Sequence, residues 1–314
     1  MRKRVVKKWN SLVEGDVVDV IAPGFATGTS EIENALKALR RWNLVPRVGR
    51  DLIGKDVLCA NTDEKRYQEL KRSLLAKDSS AIWCLRGGYG SIRLLERLKK
   101  LKPPSHCKIL LGYSDVTTLH HYLNDFWGWP TLHAPMLDRL GDKKITPEDE
   151  KILKRVLFGE AAEVMFSGLR PMNEIATQVT RLRGKVAGGN LATLASCMGT
   201  PFQTFAKGKI VVFEEIGERA HQVDRLLMQL TLSGYFKGAR GVVFGEFLGG
   251  KEPATGVSKV PLILQRFANE STIPVFQGMP IGHGVRQKVL PLNTSAELTL
   301  EKKRGKLKVL TGSF

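Results

Sequence analysis

Short apolar runs alternate with amphipathic segments through the first half of the chain. Val17–Ala22 is an apolar run ending at Pro23 and Gly24. After Thr27–Ser30 comes a segment from Glu31 to Trp42 with helical spacing, for which Ser30 is the expected N-cap. Thr62–Leu75 predicts a second helix, and Ala81–Leu85 a buried strand that runs into Arg86-Gly87-Gly88-Tyr89-Gly90. Ser91–Lys100 carries Ile92, Leu94, Leu95 and Leu98 on one stripe and predicts a helix. Lys108–Leu111 predicts a strand and Val116–Phe126 another helix. Strands alternating with helices predict a parallel sheet covered on both faces, a flavodoxin- or Rossmann-like α/β domain, with sites beyond the carboxyl ends of its strands. Two strand ends stand out, one leading into Gly87-Gly88-Tyr89-Gly90 and the other into Gly112-Tyr113-Ser114-Asp115.

The pattern changes after a helix expected at Pro147–Phe158. Residues 159–182 show weak periodicity and scattered turn residues, and are expected to connect two domains, 1–158 and 183–314. The second domain opens with a glycine-rich segment at Gly184–Asn190 and a strand at Lys209–Phe213. A helix at His221–Leu232, a strand at Gly241–Phe247, a loop at Gly278–Gly284 and a strand-rich tail follow, which predicts a mixed α+β domain.

A chain of 314 residues buries a substantial core without disulfides or structural metals. Cys59, Cys84, Cys107 and Cys197 form no C-x-x-C pair and are expected to be free thiols, three of them in apolar surroundings. No apolar run approaches the roughly 20 residues that cross a bilayer. Met1–Lys8 is basic, but the polar Trp9–Asp16 stands where a signal peptide is apolar, so a cytoplasmic protein is expected. The formal net charge of +18 admits a polyanionic partner, but the cations are scattered: Arg2–Arg4, Lys7–Lys8, Arg40–Arg41, Lys99–Lys102 and Lys302–Arg304. With no aromatic-basic or zinc-finger spacing beside them, a solvated basic face is expected rather than a nucleic-acid site.

Ser114 is the candidate nucleophile, because it stands between an apolar strand and a helix, where a turn holds a hydroxyl clear of the backbone. Gly112-Tyr113-Ser114-Asp115-Val116 resembles a nucleophile elbow without the second glycine of G-x-S-x-G. A serine before a helix is more often an N-cap, so the segment does not decide alone. Gly87 and Gly88 suit the other half of an oxyanion hole, since a backbone without side chains approaches a carbonyl closely. Among six histidines, His283 lies in the glycine-rich Pro280-Ile281-Gly282-His283-Gly284, and His133, before Ala134-Pro135, is its main competitor. Glu214 and Glu215 end a strand and offer a carboxylate to orient an imidazole; neighbours on a strand point to opposite faces, so only one serves. Neither H-E-x-x-H nor clustered Cys and His is present, and the P-loop and G-x-G-x-x-G patterns are missing too, so no metal or cofactor is expected.

Taken together these segments resemble the LD-carboxypeptidase family of serine peptidases, which includes the microcin C self-immunity peptidases. The likeness is collinear over nearly the whole chain. It runs from Leu12–Pro23 through Leu85–Ser91 and Leu94-Leu95, Leu111–Asp115, His133-Ala134-Pro135-Met136, Arg183–Leu191, Phe213–Glu218 with Val223–Leu227, to Pro280–His283. The resemblance implies Ser114 as nucleophile, His283 as general base and a glutamate as its partner, the first of the acidic pair, Glu214. It implies an oxyanion hole from the amides of Gly88 and Asp115, with Ser114 in the first domain and its partners in the second, and a pocket at their interface. It also implies release of the terminal D-alanine from murein tetrapeptides in cell-wall recycling, and a homodimer. Arg86, in the same turn as Gly87 and Tyr89, is the candidate for the substrate's carboxylates. Gly24 stands where the family often has serine, and Ala134 where it often has glycine. Two rival readings stay open: hydrolysis of acyl-amino-acid adenylates, and a non-catalytic protein that binds polyanions.

Overall fold

The computed structural model describes residues 8–312; Arg2–Arg4 and Lys7 lie outside the described residues. Numbered along the chain, the strands are β1 (Val17–Ile21), β2 (Val45–Val48), β3 (Ala81–Cys84), β4 (Ile109–Gly112), β5 (Thr131–His133), β6 (Glu163–Pro171) and β7 (Arg181–Asn190). They continue as β8 (Lys209–Ile216), β9 (Gly241–Leu248), β10 (Val275–Gln277), β11 (Leu290–Leu292), β12 (Ser295–Glu301) and β13 (Arg304–Leu310). The chain divides into two units. The first runs to Ala162 and takes back Lys288–Pro291 and the residues from Thr311; the second holds Glu163–Gln287 and Leu292–Leu310.

In the first unit six strands are ordered β11-β5-β4-β3-β1-β2. The pairs among β1 to β5 are parallel. β3 and β4 are buried along their whole length, as expected where helices cover both faces and every side chain needs an apolar neighbour. The chain builds outward from β1 in one direction to β2 and in the other through β3, β4 and β5, so the order reverses between β1 and β3. Loops beyond the carboxyl ends diverge at such a point and leave a crevice.

The helices start and stop for local reasons. The helix Thr29–Arg41 begins at Gly28, two residues before the expected N-cap, and the Ser30 hydroxyl donates instead to Glu31. Thr62 caps Asp63–Leu75 by accepting from the Lys65 amide, and Thr146 caps Pro147–Leu157 through Asp149. The helix expected at Ser91–Lys100 divides into a 3-10 turn, Ser91–Leu94, and a short α-helix, Leu95–Leu98. That expected at Val116–Phe126 is a 3-10 turn from Ser114, an α-helix at Thr117–Tyr122 and a π-turn at Leu123–Trp127.

The second unit is a mixed sheet closed into a barrel, β10-β6-β13-β12-β7-β8-β9. Residues 159–182, expected as a connection, carry β6 and the helix Glu174–Thr177 within this sheet unit. Exposed Glu163, Ser167, Gly168 and Arg170, interleaved with buried Val164, Phe166 and Leu169, hid a strand that faces solvent on one side. β12 and β13 likewise alternate along the antiparallel half. β8 and the start of β9 are buried on both faces, because the helices Ala220–Leu232 and Val260–Glu270 accompany the parallel half. Phe267 on the second helix packs against Phe244 of β9 and Phe236.

Candidate functional site

The carboxyl ends of the first sheet hold Ser114. β4 stops at Gly112, whose carbonyl accepts from Ala134 N at 3.0 Å and from His120 Nε2 at 2.9 Å. Burial pushes His120 down to about 3, so the ring is neutral and donates there. Half-buried Ser114 follows with φ of 58°, in the left-handed region. Five other described non-glycine residues share that region, all Asn or Lys in turns and bends. A serine held there between strand and helix has the backbone of a nucleophile elbow, with strain at the serine itself.

Gly87 lies directly against Ser114. A β-carbon on Gly87 would sit 3.1 Å from Ser114 Cβ and 3.2 Å from its Oγ, so any side chain there would crowd the hydroxyl. Gly88 has φ of 100°, and a β-carbon there would enter the Phe25 ring at 2.2 Å. Only glycine meets both demands. The Gly87 carbonyl accepts from Phe25 N at 2.8 Å, and a β-carbon on Gly24 would stand 2.3 Å from that oxygen. The departure at Gly24 is therefore packed shut in this chain.

Asp115 is buried, and its carboxylate faces the glycine turn. It accepts from Gly90 N at 3.1 Å, Ser91 N at 2.9 Å and Ser91 Oγ at 2.6 Å. Burial raises its pKa and these hydrogen bonds oppose the rise. Arg66, also buried, donates to the carbonyls of Pro23, Gly90 and Asn61 and to Asp63. Neither side chain was singled out from the sequence. The signal for Arg66 is its place on the buried stripe with Leu70, Ser73 and Leu74 of an amphipathic helix. Exposed Arg86 donates to Thr27 Oγ1 at 3.2 Å and lies 3.6 Å from Asp138, whose pKa burial raises. Tyr89 is 40% exposed. His133 is buried, its ring 5.6 Å from that of Tyr113.

In the second unit Glu214 and His283 meet. His283 Nδ1 lies 2.7 Å from Glu214 Oε2, with Glu214 fully buried and His283 half-buried. The β8–β9 register shifts between Phe213 and Glu215, and an irregularity of that kind re-aims side chains at a strand end. Glu215 turns elsewhere, accepting from Asn190 Nδ2 at 3.0 Å and from the amides of Ala192 and Ile216 at 2.8 Å. Burial pushes it up to about 7 against those bonds. Of the two carboxylates, Glu214 is the one that touches the imidazole. Glu246, in the carboxyl-terminal half of β9, was not anticipated: its carboxylate accepts from Gly284 N at 2.8 Å, and its own amide donates to Ile281 O at 2.9 Å. An acidic residue just after the apolar run of a parallel strand, as Glu214 is, was the available signal. Cavities of about 530 and 820 Å³ flank the helix Ala220–Leu232 and are lined by none of these residues.

Comparison with known proteins bears on this arrangement. Residues 18–134 match the LD-carboxypeptidase N-terminal domain and residues 183–298 the LD-carboxypeptidase C-terminal domain. A Rickettsia prowazekii protein named as a carboxypeptidase is 34% identical over 296 residues, 92% of this chain and 90% of the relative. The murein tetrapeptide carboxypeptidase of Pseudomonas aeruginosa is 28% identical over 292 residues, 90% of this chain and 92% of the relative. In fold, the chain is similar to the microcin C7 self-immunity protein solved with aspartyl sulfamoyl adenosine. The TM-score is 0.78 at 20% identity, over 96% of this chain and 98% of that one. Both domain matches and near full-length likeness agree: the chain belongs to the LD-carboxypeptidase family of peptidases.

Proposed function

We propose that this protein is a serine-type LD-carboxypeptidase that releases the terminal D-alanine of murein tetrapeptides. The observation that carries the proposal is the strained turn at Ser114 pressed against Gly87, in a chain of this family. The Glu214–His283 hydrogen bond supports it.

In this reading His283 Nε2 takes the Ser114 proton as Oγ attacks the carbonyl of the bond to D-alanine. Glu214, accepting from Nδ1–H, fixes the tautomer and stabilises the imidazolium. The amides of Gly88 and Asp115 receive the oxyanion, aided by the amino-terminal end of the turn and helix that begin at Ser114. Collapse returns the proton to the leaving amine and leaves an acyl-enzyme. Water, activated by His283, then frees the tripeptide and Ser114. Arg86, with Gly87 and Tyr89, meets the substrate, its guanidinium serving the peptide's carboxylates. No metal or cofactor enters the scheme. Cell-wall recycling, a cytoplasmic location and a homodimer belong to the same proposal.

The test is D-alanine release from free murein tetrapeptide by the native protein and by Ser114→Ala. Release that vanishes in the variant supports the reading. A folded native protein that releases none overturns the murein assignment and directs the assay to acyl-amino-acid adenylates.

A further inference from the structure

We infer that the Asp115 side chain is a positioning group for the oxyanion-binding amides, tying the glycine turn to the nucleophile turn, with Arg66 as a second tie. This deepens the serine-peptidase reading above and rests on it.

The two amides assigned to the oxyanion belong to different segments, Gly88 to the turn after β3 and Asp115 to the turn after β4. Such donors stabilise a developing charge only if their spacing is set before the reaction begins. One residue spans the gap here. Asp115 contributes its amide to one segment, while its carboxylate takes three hydrogen bonds from the other, at Gly90 N, Ser91 N and Ser91 Oγ. Its carbonyl accepts from Thr118 Oγ1 at 3.0 Å, which anchors the same residue to the following helix. Arg66 joins a third segment by donating to both Pro23 O and Gly90 O. On the remaining side Gly24 abuts the turn, leaving 2.3 Å between a built β-carbon and Gly87 O.

Burying a carboxylate costs stability unless hydrogen bonds replace its water. Asp115 meets that cost with three donors, and all three belong to Gly90 and Ser91, where the glycine turn passes into the 3-10 turn. The direction of its hydrogen bonds is what distinguishes it from a residue that merely caps its own helix.

The experiment compares native protein with Asp115→Asn and Ser91→Ala. Asparagine keeps the shape but turns an NH2 group toward donors. Expected is a fall in kcat of about 100-fold for Asp115→Asn, near the loss seen when one oxyanion donor is removed, and of about 5–10-fold for Ser91→Ala, which removes one of the three ties, with KM within about threefold in both. Amide hydrogen exchange supplies an independent readout: Gly90 and Ser91 should exchange faster in Asp115→Asn, while the helix Thr29–Arg41 stays protected. Unchanged exchange at those amides overturns the inference. Faster exchange with native kcat makes the side chain structural only, which also overturns it. If the native protein releases no D-alanine, the rate at which a fluorophosphonate modifies Ser114 replaces kcat. A Ser114 that no fluorophosphonate modifies ends both readings. If Asp115→Asn does not fold, Ser91→Ala carries both readouts.

Discussion

At the end of β4 the working parts are mostly backbone, whereas at the end of β8 they are side chains. Around Ser114 the specified features are torsions and close approaches: φ of 58° at the serine, φ of 100° at Gly88, and glycines at 24 and 87 where a β-carbon would press on Gly87 O or on Ser114. Buried charges, Asp115 and Arg66, fasten these segments. At β8 the backbone is a strand with an irregular register, and the specificity lies in which carboxylate goes where. Glu214 goes to His283, Glu215 to Asn190 and two amides, and Glu246 to the loop that carries His283. Groups that receive charge work best as fixed dipoles, because fixed dipoles need no rearrangement during the reaction. A base that gains and loses a proton needs a charged partner instead.

The largest effects should break this contrast within the second unit. In the proposed triad, Glu214→Gln would keep an acceptor for His283 Nδ1–H but remove the charge that stabilises the imidazolium, so kcat should fall about 10³–10⁴-fold, as for a triad acid made neutral. Glu215→Gln, one residue away, should change kcat by less than about tenfold, because Glu215 does not touch the imidazole. D-alanine release at saturating tetrapeptide measures both. Equal losses from the two variants would remove the distinction between them.

A smaller effect is expected where the glycine turn meets its neighbour. Gly24→Ser restores the residue that resembles the family's usual one, yet its β-carbon would stand 2.3 Å from Gly87 O and 3.1 Å from Asp115 Oδ2. The turn must shift, so kcat should fall about tenfold with little change in melting temperature. Improved turnover in this variant would show that the turn yields at low cost, and that the backbone at β4 is softer than its torsions indicate.

Much of this was legible in the sequence. β3 and β4 of the first unit announced themselves as apolar runs between amphipathic helices, because they are buried on both faces and carry no polar position, whereas β2, with exposed ends and Arg47, gave no such run. Ser114, Gly87, Gly88, His283 and the pair Glu214–Glu215 stood out through flanking glycines and strand ends. The barrel was less visible. β6, at Glu163–Pro171, exposes alternate positions and so resembles a polar linker, and its partner β13 lies far along the chain. The choice between Glu214 and Glu215 depended on a strand register that no local pattern encodes. Arg66 was readable only as a charge out of place on an apolar stripe. The closing of the site around Gly24 depends on three segments meeting in space.

The smallest expected effect concerns protons rather than turnover, and it runs in opposite directions in the two units. His120 is held down to about 3 by burial in the first unit. A base with a depressed pKa contributes stability that is present above its unfolded value, near 6.5, and lost as pH falls toward 3. Glu215 is held up to about 7 by burial in the second unit. A carboxyl with a raised pKa contributes stability that is present below its unfolded value, near 4.5, and lost as pH rises toward 7. Amide exchange in the cores of the two units, after correction for intrinsic exchange, should therefore contain a His120-dependent loosening of β4 as pH falls from 6.5 to 4.5, against the opposite pull of buried Asp115, and a Glu215-dependent loosening of β8 as pH rises over the same interval. Each contribution changes by on the order of 1–3 kcal/mol across that interval. His120→Gln, which still donates to Gly112 O, should flatten the first slope and leave the second; Glu215→Gln should do the reverse. Parallel slopes in the native protein, or slopes untouched by these variants, would show that other groups govern the proton linkage of both strand ends.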